Sequence, residues 1–129
     1  MGYAKTAELN GYPGPMHVIE LARPLGLSAE QRSASEQLMA SHKAKARALG
    51  AQLLEAERAL DAAFATQQID AQRLEILTQR IGTVQATLRA EHLRTHIQQT
   101  ALLKPEQIVS YQNLRGYNNA HSSAPHANH

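Results

Sequence analysis

The chain has no cysteine and no tryptophan, and one phenylalanine in 129 residues. Disulfides and thiolate metal sites are therefore excluded, and any metal must be held by nitrogen, oxygen or thioether donors. Absence of cysteine suits the periplasm and the cytosol equally and selects neither. No apolar run approaches the ~20 residues that cross a bilayer, so the chain reads as neither an integral membrane protein nor one with a spanning anchor. A leader of basic, then apolar, then small residues is also missing, so if the protein is exported the numbering begins after its signal. A formal charge of +2 is too small an excess to point to nucleic acid.

Few bulky side chains mean little material for a thick core, and a thin helical layer fits better. Ala, Leu, Gln, Glu and Arg, which lose least on entering a helix, dominate the middle of the chain. Residues 1–14 carry Gly2, Gly11, Pro13 and Gly14 and read as an irregular arm. A short helix is expected from Pro15 to Arg23, ended by Pro24 and Gly26. In Leu27-Ser28-Ala29-Glu30-Gln31, Ser28 is placed to cap a new helix while Gln31 reaches back to the cap amide. That helix should run to about Ala65, with a packing seam at residues 39, 46, 49, 53, 56, 60 and 63 and His42 filling the gap.

Thr66 to Ile69 reads as a turn, Asp70 as the next cap, and Ile69 with Leu74 as a staple around it. The second long helix is expected to reach about Thr100, its seam formed by Leu74, Leu77, Ile81, Val84 and Leu88. So short a connection makes the two helices antiparallel neighbours. Gly50 and Gly82 interrupt them and suggest close helix approach or a bend. A last helix should begin at Leu103-Lys104-Pro105-Glu106-Gln107, with Pro105 at its first position, Leu103 and Ile108 as a staple, and lysine a poor cap. It should end near Leu114 and Gly116. Residues 118–129 read as a polar, histidine-containing disordered tail. The fold expected is all-α, a long antiparallel helical hairpin with a short helix at each end. One seam shared by two helices leaves apolar surface for a second copy, so a homodimer is expected.

The two boxes, built on Leu27, Ser28 and Gln31 and on Leu103, Pro105 and Gln107, flank the hairpin and resemble the paired Leu-Thr-x-x-Gln boxes of the Spy/CpxP/ZraP family, which includes CnrX-type periplasmic heavy-metal sensors. The resemblance spans about residues 15–117. Serine and lysine stand at the second position where the family pattern has threonine, which makes the second box the weaker match. The resemblance implies a periplasmic location, a cradle-like dimer, and a role in envelope stress as an ATP-independent chaperone or metal-responsive regulator. Its partners would be unfolded clients or the periplasmic domain of a membrane-bound signalling protein.

Of seven histidines, three converge if the hairpin pairs positions summing to about 136: His42 then falls opposite residue 94, between His92 and His96. The latter two stand at i and i+4, where both rings can face one ligand. Zinc, nickel, cobalt or copper would suit such donors. Neutral imidazole is the ligating form, so binding should weaken in acid. Glu91 is expected to point about a quarter turn away, and Met39 could offer a thioether. The alternative is a seam histidine hydrogen-bonded to a polar neighbour, with no metal. His17, with Glu20 three residues on, joins the candidate ligands because metal sensors of the family carry histidines near the start of the domain. His121, His126 and His129 sit on the tail, where they could scavenge ions weakly.

No glycine-rich phosphate loop, nucleophile elbow or cysteine nucleophile is present, so no enzyme is expected and no cofactor is required. Lys43, Lys45, Arg47, Arg80, Arg89 and Arg94 could rim a client-binding face. A third reading, a cytosolic basic hairpin that binds nucleic acid, is prompted by His42-Lys43-Ala44-Lys45-Ala46-Arg47; against it, alternate charges on a helix diverge, as on a solvated face, and stacking aromatics are missing.

Overall fold

The computed structural model describes residues 3–117. Its elements are α1 (Lys5–Leu9), α2 (Pro15–Glu20), α3 (Ala22–Leu25), α4 (Ala29–Ala65), α5 (Ala71–Thr100) and α6 (Pro105–Arg115), with no strand among the described residues. The chain is all-α, and the long helices α4 and α5 pack against each other as a pair. The tail expected over residues 118–129, with its three histidines, lies outside the described residues.

Helix boundaries follow local chemistry. Gly26 adopts the left-handed conformation (φ 65°), which lets Leu27 N–H donate to Ala22 O and Gly26 N–H to Arg23 O, closing α3. Pro24 therefore sits inside a four-residue helix rather than stopping a longer one, where no amide is needed from it. The first expected helix is broken instead at Leu21, between α2 and α3. Ser28 then forms the full reciprocal box: Ser28 N–H donates to Gln31 Oε1 (2.9 Å) and Gln31 N–H to Ser28 Oγ (3.0 Å). At the far end of α4, Gln67 takes a positive φ of 58° so that Gln68 N–H can reach Ala63 O. Asp70 Oδ1 accepts from Arg73 N–H (2.8 Å) and starts α5.

The chain divides into two compact units, one made of His42–His92 and the other of the residues up to Ser41 together with those from Leu93 onward. Within His42–His92, the buried apolar side chains are Ala56, Ala63, Leu77, Ile81 and Leu88, all at expected seam positions. Leu74, expected in that seam, is 39% exposed. An added methyl at Gly50 or Gly82 would meet nothing within 4 Å, so neither glycine marks a close helix approach. In the other unit, Val18, Leu25 and Tyr111 form a small core against which Leu21, Leu27, Leu103 and Tyr117 pack. The segment expected to be an irregular arm carries α1, whose C-terminus is closed by Asn10 N–H to Ala7 O and by Asn10 Nδ2 to Thr6 O.

Candidate metal pair and polar clusters

In the His42–His92 unit, α4 presents His42 and α5 presents Glu91 and His92. His42 Nδ1 lies 3.2 Å from Glu91 Oε2, with both side chains largely buried. A carboxylate oxygen accepts, so in this contact the ring donates from Nδ1. This is the arrangement that holds metal-ligating imidazoles in orientation. The His92 ring meets that of His42 edge-on, centroids 4.5 Å apart and planes at 72°. Glu91 is 7% exposed and faces its neighbour helix instead of turning away from it. It stands three residues after Leu88, on the step of three and four that the apolar seam already follows.

His96 and His17 lie in the other unit. His96 Nδ1 lies 2.8 Å from the carbonyl oxygen of Tyr12 and 3.7 Å from Glu8 Oε2, and His17 Nδ1 lies 3.0 Å from Glu20 Oε1. Among the described residues no group of three or more His, Asp or Glu side chains is arranged to hold a metal ion. The fit to a metal is thus partial: His42 and His92 are donors of the right type, too few to close a coordination sphere.

The two sequence boxes meet. Gln31 Nε2 donates to Gln107 Oε1 (2.7 Å) and Gln107 Nε2 to Gln31 Oε1 (3.1 Å), and the same amides reach the carbonyls of Leu102 (2.9 Å) and Leu25 (3.3 Å). Lys104 has no side-chain acceptor, so the second box is half formed. Its N–H donates to Gln107 Oε1 (2.9 Å), while Gln107 N–H turns to the Lys104 backbone carbonyl (2.9 Å). Nearby, Gln99 is fully buried, donates to Ser35 Oγ (2.9 Å), and leaves its Oε1 without a partner.

A third cluster gathers on Glu8, which the sequence did not single out. Its carboxylate accepts from Tyr111 Oη (2.8 Å), Tyr117 Oη (3.0 Å) and Gly14 N–H (3.0 Å). Burial and then the neighbouring carboxylate charge push the Tyr111 phenol well above its ordinary range. Burial also raises Tyr117, against the opposing hydrogen bond from Arg115.

Paired helices of this length, bracketed by two glutamine boxes that interlock and carrying a histidine pair of which His42 is held by a carboxylate, define a class of small helical-hairpin protein. A family model described as heavy-metal resistance matches residues 10–110, and the chain belongs to that family, which contains CnrX-type periplasmic metal-resistance and Spy-like helical proteins. No curated protein and no solved structure matches the chain.

Proposed function

We propose that the protein is a periplasmic, dimeric, metal-responsive regulator of the envelope stress response and not an enzyme. The observation that carries this reading is the His42–Glu91–His92 arrangement in a chain of the heavy-metal resistance family. Two imidazole nitrogens would bind a borderline ion such as zinc, nickel, cobalt or copper, and its remaining ligands would come from water or from a second copy. Signalling to a membrane-bound partner would draw its energy from the difference in metal affinity between two states of the protein. No helix among the described residues is long and apolar enough to cross a membrane.

Titration calorimetry of the metal-free chain with Zn²⁺, Ni²⁺, Co²⁺ and Cu²⁺ tests the reading. A stoichiometric event should survive replacement of the tail histidines His121, His126 and His129 and weaken at least about tenfold, on the order of 1.4 kcal/mol, in His42→Ala/His92→Ala. Equal affinity in the double variant would sink the assignment of these two ligands. A second reading, an ATP-independent chaperone, is favoured by large apolar side chains left exposed in the His42–His92 unit: Leu54 at 51%, Phe64 at 54% and Ile76 at 60%. Suppression of aggregation of an unfolded client, assayed with and without metal, separates a holdase from a regulator.

A further inference from the structure

The Glu8 cluster is independent of the metal pair, and its carboxylate and both phenols fall outside the stretch the family model matches, because Glu8 precedes residue 10 and Tyr111 and Tyr117 follow residue 110. Helix α1 has five residues and buries none of them. So short a helix has no stability of its own, and the fully buried side chain of the segment, Pro13, lies beyond it, next to the start of α2. A polar attachment concentrated at one side chain helps to hold it. Two phenols and one backbone amide converge on the single carboxylate of Glu8, whose side chain is 14% exposed. An attachment made at one charged group can be lost as a unit, whereas a hydrophobic face would have to be peeled away side by side.

Beyond Glu8 the chain crosses α5. The Tyr12 carbonyl accepts from His96 Nδ1 at 2.8 Å, and Gly14 lies against the same ring. An added Cβ at Gly14 would stand 2.5 Å from His96 Cε1 and 2.6 Å from Nε2, so only glycine permits this approach. The His96 side chain is left 12% exposed. Beside it, Ala7 and Tyr12 from this segment and Leu93 and Ile97 from α5 line a shallow apolar recess. Tyr12 and Ile97 remain 45% and 59% exposed, so this segment rests on α5 without burying it deeply.

We infer that residues 3–14 form a releasable strap, anchored by Glu8, that covers the His96 imidazole and controls the access of electrophiles and metal cations to it. In the closed state Tyr12 and Gly14 occupy the imidazole; when the strap lifts, the ring and the adjacent Leu93 and Ile97 surface are bared together while α2 to α6 stay folded. The inference does not depend on whether His42 and His92 bind metal.

The test uses the full chain and two readouts, hydrogen exchange and carbethoxylation of individual histidines by diethyl pyrocarbonate followed by peptide mass spectrometry. In the unmodified protein the amides of residues 7–14 should exchange at least about tenfold faster than those of α5 and α6, the signature of local opening. Exchange at the same rate as α5 would overturn the inference, because the segment would then open only with the whole fold. Glu8→Ala should raise the modification rate of His96 at least tenfold and leave that of His42 unchanged, with helical circular dichroism retained. Gly14→Ala keeps the two phenol donors on Glu8 but forces residue 14 off the ring, and should raise His96 in the same way. An unchanged His96 rate in both variants would overturn the inference. So would a joint rise of His96 and His42 in Gly14→Ala. If Glu8→Ala loses its helicity, Glu8 is part of the fold and not the anchor of a strap, and the inference fails on that ground.

Discussion

A buried phenol that donates to a carboxylate is hard to ionise, and Tyr111 is fully buried and donates to Glu8. Its pKa in the folded protein lies above the ordinary value of 10.0, raised first by burial and then by the Glu8 charge. A folded pKa above the unfolded one means that this contribution to stability is complete below about pH 10 and is lost as pH rises further. Urea unfolding should therefore show stability declining above pH 10. Tyr111→Phe should be less stable at neutral pH by about 1.5–3 kcal/mol, because the Glu8 carboxylate loses a donor, and its decline above pH 10 should be shallower. A decline of equal slope in Tyr111→Phe would show that other groups carry it. None of this was legible in the sequence. Glu8 sits among glycines and a proline that read as irregular, and no local pattern joins residue 8 to residues 111 and 117.

The two boxes show how far local chemistry determines an element and where it stops. Both starts were readable because a cap and its glutamine are three residues apart, and the serine of the first box forms both of its bonds. Lys104 cannot accept, so the first turn of α6 lacks the side-chain cap. Lys104→Ser should supply it and raise the unfolding free energy by about 0.5–1 kcal/mol, measured by urea denaturation at neutral pH; no gain would mean that Gln107 already satisfies the turn. The apolar seams were likewise readable from their steps of three and four. The seam of α5 does not end at Leu88, however. Glu91, Thr95 and Gln99 continue the same register and are buried, as is Ser35 on α4. A search for apolar periodicity stops where polar residues take over, even though the geometry does not. That also explains why Glu91 was expected to turn away and instead meets His42. The meeting of Gln31 with Gln107 lies beyond any local rule, since it joins residues 76 apart in sequence.

At the scale of the whole molecule, the His42–His92 unit encloses only Ala56, Ala63, Leu77, Ile81 and Leu88 as buried apolar side chains, with Phe64 and Ile76 more than half exposed. Fully burying a side chain of this size contributes about 1.5–3 kcal/mol, and several half-exposed ones on each copy would have to be covered together to offset the cost of association. Sedimentation should show concentration-dependent dimers, and Phe64→Ser/Ile76→Ser should weaken association at least about tenfold while helicity persists. A chain that stays monomeric at every concentration would remove the dimer from the proposal. Composition had already indicated so thin a core, through one phenylalanine and no tryptophan; which side chains stay uncovered follows from the packing of the helices.

The discontinuity of one unit has a consequence for biosynthesis. Residues 42–92 are contiguous, whereas the unit that holds Glu8, Gln31 and His96 joins an early segment to a late one. During synthesis from the N-terminus every residue of the contiguous unit is present once residue 92 has been added. The other must wait for Gln107, Tyr111 and Tyr117, which complete its amide pair and the donors on Glu8. A nascent chain halted before residue 107 would thus display Gln31 and Glu8 without these partners, a difference that a quality-control protease could read as unfinished work.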